Sequence, residues 1–444
     1  MKRPRLRAYL GLGLLAAGLC GLALSGDLLL HAGRLWAFYG LSLAGFGLLA
    51  TAATSLPLRG ALVAGILLRV VFLPVTPSLS DDVYRYLWDG QVQRAGVSPY
   101  LYAPADPRLD RVAGSETGAA GGGGSGEADA GRSGQADRGE EAGGSAPDTA
   151  GLRALVNHPR LRTVYPPLAQ ALFLGVAGAS DAAGLDPARG GVLLWKLVAG
   201  AADLLTAAAV WWLADAKRRR QATVLYLLCP AVILQTWEAA HLEMVAVGLA
   251  VVAAALLVRG RDWQAGVALG LAAGFKLTPA ALLLPALLGG RASPGRLLAG
   301  FVPAFVLPLL PYVLGSGRLH GVFGGVAAAG TGWTGSALLF SLLTYLLPAR
   351  AAQAVCLVVF LAGAVGIARR MRGRAQTARS FAWTLTLLVL CLPVVHAWYW
   401  LAPLTFGLVA GVWLPVVLGL IAPIPEATAT RWPGGRAAAI LGRR

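Results

Sequence analysis

The sequence predicts an all-α, polytopic integral membrane protein, and three observations predict it. Hydrophobic residues make up 57% of the 444-residue chain and charged residues only 13%, far more apolar than a soluble protein of this size. Windows of about 20 residues repeatedly lack charge, which is the length a helix needs to cross a bilayer. The positive charges gather in short clusters between those windows, as they do in cytoplasmic loops. A net charge of +17 raises nucleic acid as a partner, but no single basic surface collects that charge, so nucleic acid is excluded. Cys20, Cys229, Cys356 and Cys391 stand singly in apolar runs and read as small hydrophobes.

The elements follow in order. Residues 1–76 are expected to form N-terminal transmembrane helices near 9–26, 35–54 and 60–75. The basic start, Lys2 to Arg7, stays inside, and the first helix is retained because no convincing cleavage site follows it. Residues 77–190 then form an extracytoplasmic loop with interfacial helices and a disordered insertion at 113–151. That insertion has no aromatic residue and no Leu, Ile or Val, so it cannot bury enough apolar surface to offset the entropy of ordering. The apolar run after Pro167 is about 13 residues, too short to span, and reads as a dipping helix.

Residues 191–314 are expected to form a central transmembrane bundle, with crossings near 192–213, 222–236 and 245–258, a hairpin over 263–288 and a crossing at 297–314. The cluster Lys217-Arg218-Arg219-Arg220 is its clearest cytoplasmic mark. A second extracytoplasmic loop covers 315–350, C-terminal transmembrane helices cover 351–422 (354–368, 381–395 and 398–420), and a cytoplasmic tail covers 423–444. This makes about 12 spans with both termini inside.

The stretch at 80–102, SDDVYRYLWDGQVQRAGVSPYLY, organises the rest. A helix fits its first half, with Ser80 as N-cap and Asp81 and Asp82 in the first turn, where backbone N–H groups lack partners. Tyr84 and Trp88 share a face at the i, i+4 spacing, and Gly90 and Gly96 read as breaks. The expectation is a short aromatic helix lying on the membrane with a carboxylate pair at its mouth.

Unusual polar residues converge on the same side in this topology: Asp81, Asp82, Asn157, His158, Glu238, His241, Glu243, Lys276 and His396. Asp81 and Asp82 can include a general base, or they can simply complement the helix start. Lys276, at the Phe275-Lys276-Leu277-Thr278-Pro279 break, can meet a phosphate at headgroup level, or it can snorkel. Arg69, Lys196 and Asp203 lie in apolar runs, where ionisable groups are functional or paired; Lys196 and Asp203 are seven residues apart and share a face. No cofactor is required by these residues. A divalent cation at Glu238, His241 and Glu243 is the alternative, against which the spacing lacks a zinc pattern. His396, before Trp398-Tyr399-Trp400, reads as part of an interfacial aromatic belt or of an acceptor groove.

Several motifs in one order carry a family resemblance: SDDVYRYLWDGQVQRAGVSPYLYAP, NHP before YPPLAQ, KLVAGAADL, FKLTP and HAWYWLAPL. Together, over about residues 69–403, they resemble the GT-C-type polyprenol-phosphate-mannose-dependent mannosyltransferases, and more distantly the first mannosyltransferase of GPI-anchor synthesis. The resemblance implies transfer of a hexose, most simply mannose, from a polyprenyl-phosphate donor to a glycan or glycolipid hydroxyl, outside the cytoplasm and with inversion. It implies a catalytic base at Asp81, with Asp82 as near alternative. Lys276 and Arg69 are then expected to hold the donor phosphate. Tyr84, Arg85, Trp88, Asn157, His158, Tyr165, Glu238, His241, Glu243 and His396 are expected to contact substrate. The chain departs from the family at Trp237–Glu243, which reads WEAAHLE instead of an Asn/Asp-rich turn.

A lipid phosphate is a good leaving group, so one base for the acceptor proton and one or two cations suffice. A transporter or flippase for a lipid-linked or polar substrate is the competing class; it predicts repeats with matching broken helices, and none is visible. A non-catalytic scaffold is the third class and needs no such convergence of polar groups.

Overall fold

The computed structural model describes residues 2–114, 149–316, 322, 324–325 and 337–424. Most of the expected disordered insertion, the middle of the second loop and nearly all of the tail lie outside the described residues. Among the described residues the structure is helical, without strands. Five helices are long and apolar enough to cross a membrane: Arg3–Ala23, Ala32–Ser55, Arg189–Leu213, Pro294–Leu314 and Ala349–Arg370. Shorter apolar helices, Glu243–Val258, Thr278–Leu288 and Ala397–Ala410, accompany them. Membrane association follows from these segments.

Helices α1 (Lys2–Ala23) and α2 (Ala32–Ala52) form a hairpin. Glycines bring its two helices close together. A Cβ at Gly18 would lie 2.3 Å from the Ser42 hydroxyl, and one at Gly45 would lie 2.5 Å from the Gly11 carbonyl oxygen. Close backbone approach of this kind holds helices together where lipid gives no hydrophobic drive. Helix α3 (Leu58–Val70) leads through a few turns to α4 (Asp82–Arg94).

Helix α4 does not lie on a surface. Every residue from Val83 to Val92 is buried, among α5 (Thr149–Ala154), α6 (Pro167–Ala182) and α7 (Arg189–Leu213). Tyr86 stacks on Phe173 at 4.7 Å and meets Tyr165 edge-on at 4.9 Å. Gly90, read as a break, lies inside the helix. A Cβ there would fall 2.4 Å from the Phe173 carbonyl oxygen, so glycine lets α4 press against α6. Gly96 does mark the end, with φ +76 just past Arg94. Thus α4 is the floor of a second apolar core built from Val83, Leu87, Trp88, Phe173, Trp195 and Leu242.

Two expected spans are broken, each for a local reason. Over 222–236, α8 (Arg219–Leu227) stops ahead of Pro230, which lacks an N–H and starts the short α9 (Pro230–Ile233). A π-turn at Leu234–Glu238 follows, a form often found at functional sites. Over 398–420, Gly411 turns the chain at φ +66, separating Leu401–Ala410 from Trp413–Ile421. Helices α10 (Glu243–Val258) and α11 (Asp262–Phe275) complete the bundle around the site.

The chain on either side of the insertion is tied directly together. Arg153 donates to the Pro104 and Asp106 carbonyls and to the Asp110 carboxylate, and the Ala105 N–H donates to the Pro159 carbonyl at 2.7 Å. The order extends further inward than the expected limits of 113–151, since Ala113 and Thr149 are buried. Deleting residues 118–144 is therefore expected to leave the thermal midpoint and activity near wild type. Each doubling of loop length changes closure cost by only about 0.6 kcal/mol. Loss of monodisperse protein after this deletion would contradict the expectation.

Candidate active site

The site is built where α4 begins. Glu238, in the π-turn, accepts from the Ser78 N–H at 2.9 Å, the Ser78 hydroxyl at 2.5 Å and the Leu79 N–H at 3.4 Å. The Ser80 hydroxyl accepts from the Asp82 N–H at 3.3 Å. The helix therefore starts one residue later than expected. Asp81 occupies the N-cap position without a side-chain capping bond, and Asp82 is the first helical residue.

Both carboxylates turn to the same amide. Asn157 Nδ2 donates to Asp81 Oδ1 at 2.6 Å and to Asp82 Oδ1 at 2.7 Å. The second oxygen of Asp82 accepts from the Tyr165 hydroxyl at 2.9 Å and faces His241 Nε2 at 3.2 Å. The Glu243 N–H donates to His241 Nδ1 at 3.3 Å, so Nδ1 is the acceptor and Nε2 carries the proton given to Asp82. Burial raises the Asp82 carboxyl, but its hydrogen bond and charge interaction with His241, and the hydrogen bonds from Asn157 and Tyr165, outweigh it and hold the group well below the usual carboxylate range. Burial and the nearby Lys276 charge push the His241 imidazole down to about 3, against the pull of Asp82. His158 is also lowered, chiefly by burial, while Asp81 and Asp82 oppose the shift.

Behind His241 stands a cation on an aromatic wall. Lys276 pairs with the Glu243 carboxylate, and its Nζ lies 4.5 Å from the Tyr399 ring centroid and 5.9 Å from that of Trp398. Trp398 stacks on His241 at 4.0 Å and on His396 at 4.5 Å. The segment read as an interfacial belt or an acceptor groove therefore packs against His241 and Lys276.

Backbone conformation singles out the same place. Among the described residues, His158 (φ +44) and Ala240 (φ +53) are the non-glycine residues with positive φ. Each adjoins a side chain that bonds Asp82, namely Asn157 and His241. Left-handed backbone at such residues costs on the order of 1–3 kcal/mol and persists where surroundings enforce it, commonly at functional sites.

Other expected site residues go elsewhere. Arg69 is fully buried and gives its Nε to Asp203 at 2.6 Å, with further bonds to the Gly65 and Leu227 carbonyls. Tyr226 at 2.7 Å and Trp237 at 2.9 Å complete the shell of Asp203. Lys196, which shares a face with Asp203, instead caps the carbonyls of Phe72 and Val75 at 2.8 and 2.5 Å. Tyr84 and Trp88 are core residues. Arg85 is buried and paired with Asp89 at 2.8 Å, while its Nη2 has no partner. Glu238, His241 and Glu243 serve three different partners, and among the described residues no group of three or more His, Cys, Asp or Glu is arranged to hold a metal. Sequence reasoning missed Trp398 as a stacking partner of His241, and Gln170, which bonds Asp89 and Thr163 within the core. The only sequence signal for Gln170 was its place in YPPLAQ, on the same motif as Tyr165.

Against this geometry the comparison with known families is specific. Residues 160–290 match the family model "Alpha-(1->6)-mannopyranosyltransferase, N-terminal domain". The match supports a mannosyltransferase family, and with it a sugar-transferring enzyme. It covers under a third of the chain, yet it takes in Tyr165, Glu238, His241, Glu243 and Lys276. No curated protein and no solved structure matches the chain.

Proposed function

We propose that the chain is a membrane glycosyltransferase that moves a hexose, most simply mannose, from a polyprenyl-phosphate donor to a hydroxyl of a glycan or glycolipid. The observation that supports it most is the cluster at the start of α4. Two carboxylates share the Asn157 amide there, and Lys276 stands just behind His241. In the proposed reaction the acceptor oxygen attacks the anomeric carbon and the bond from that carbon to the phosphate oxygen breaks with inversion. The polyprenyl phosphate leaves with the electron pair, and the acceptor proton passes to Asp81.

Asp82 is the anchor in this reading. Its oxygens are held by three protein donors and its proton affinity is low, whereas a good general base has a pKa near the working pH. Lys276 takes the departing phosphate in this reading. The proposal includes about 12 spans with the site on the extracytoplasmic side, supported by the arginine clusters and the short apolar helices. The resemblance carried by the sequence motifs supports the lipid donor.

The test is transfer in membranes containing the full chain, with a panel of labelled polyprenyl-phosphate hexoses. Label from the mannose-bearing donor should reach a glycan or glycolipid acceptor. Transfer from a sugar nucleotide, with none from any lipid donor, would refute the donor assignment. Lys276→Ala should raise KM for the donor at least 10-fold more than Lys276→Arg, because the phosphate needs the charge. Wild-type KM in both variants would free Lys276 of that role.

A further inference from the structure

We infer that Glu238 and Lys196 are positioning residues for the transfer step, gripping the linker that carries the carboxylate pair; this rests on the functional reading above. The linker runs from the end of α3 to the start of α4, residues 71–81. Lys196, on α7, holds its first part through the Phe72 and Val75 carbonyls. Glu238 holds its last part through the Ser78 N–H and hydroxyl and the Leu79 N–H. Both residues are fully buried, so neither charge is spent on solvent. One cation on carbonyls and one anion on N–H groups add to the turn bonds the linker makes at its first end, such as Val75 N–H to the Phe72 carbonyl.

The same few residues then grip the far side of the carboxylates. Three positions after Glu238, His241 bonds Asp82, so one short segment holds the chain at Ser78 and again at Asp82. Asp81 lies between those two grips. That segment is itself fixed to α7, where Trp195, next to Lys196, donates Nε1–H to the Ala240 carbonyl at 2.7 Å. Trp237 bonds the buried Asp203 from the same segment. The frame therefore sets where Asp81 stands relative to Asn157 and Lys276, without either gripping residue touching substrate. It also accounts for Glu238, which the sequence offered as a substrate contact and the structure turns toward the linker.

The experiment uses the full chain in nanodiscs. Glu238→Gln keeps size but presents an amide to the Leu79 N–H and leaves Lys196 uncompensated, so kcat should fall about 10–100-fold, the scale of an ångström of misplacement. KM for donor and acceptor should change less than about threefold, since only uniform binding moves KM alone. Glu238→Asp should retain more kcat than Glu238→Gln, and Glu238→Gln combined with Lys196→Met should recover part of what each single variant loses.

Amide hydrogen exchange reads the grip without any assay of transfer. Protection at Ser78 and Leu79 should drop in Glu238→Gln, while amides within α10 keep theirs. Should Glu238→Gln not accumulate, the Glu238→Asp comparison carries the same test. Unchanged protection, or a fall in kcat matched by a rise in sugar-donor KM, would overturn the inference. A wild-type chain that transfers no sugar, yet loses Ser78 and Leu79 protection in the variant, would refute the transferase reading and keep the grip.

Discussion

Asp81→Asn is expected to lower sugar transfer by about 10²–10⁴-fold, the usual cost of a lost general base, at unchanged thermal midpoint. The amide keeps the shape of the N-cap position, and helix α4 starts at the next residue, so the fold has no reason to change. Asp82→Asn should differ in kind. Its amide N–H₂ would face Asn157, Tyr165 and His241, all of which donate to the carboxylate. That variant should lose stability as well as rate, because buried donors are left without an acceptor. The measurement is initial rate at matched amounts of folded protein, together with thermal midpoints. Near-normal rates in both single variants and in the double variant would remove the carboxylate pair from the mechanism.

The second large effect is expected at the buried Arg69–Asp203 pair. Arg69→Met should cost about 3–5 kcal/mol of stability, because Asp203 would be left charged and fully buried. Tyr226 and Trp237 would still donate to Asp203, but no cation would balance it. Replacing both members, Arg69→Met with Asp203→Leu, should recover most of the loss, since an apolar pair of similar volume is often as stable as the ions. Thermal unfolding of the single and double variants checks this. A stable Arg69→Met protein with a donor KM raised more than 10-fold would instead return Arg69 to the phosphate.

Hydropathy and charge clusters were enough to read a helical chain with membrane-length apolar segments, because both depend on composition over a window. The break at Lys276 was legible too, since Pro279 cannot continue a helix. Contacts between distant segments were not. Spacing alone put Lys196 and Asp203 on one face of α7, but nothing in spacing says that Arg69, 134 residues earlier, takes Asp203. Tyr84 and Trp88 looked like surface aromatics because their helix sits in a loop by sequence; α5, α6 and α7 cover it from later in the chain. The segment WEAAHLE looked like a departure from a family pattern. Its meaning lay in backbone shape, a π-turn followed by a left-handed alanine, which no residue in it announces.

The hairpin of α1 and α2 has a consequence for how the chain is born. Its close interface can form as soon as residues 2–52 are in the bilayer. Tyr39, however, gives its hydroxyl to the Leu420 carbonyl at 2.7 Å, a partner 381 residues downstream. At roughly 5–20 residues per second, the ribosome needs about 20–75 s to deliver that partner. Through this interval the hairpin waits with Tyr39 unmatched, and the walls of Trp398 and His396 do not yet exist. The hairpin is thus paired long before Tyr39 meets Leu420 and before Trp398 reaches His241.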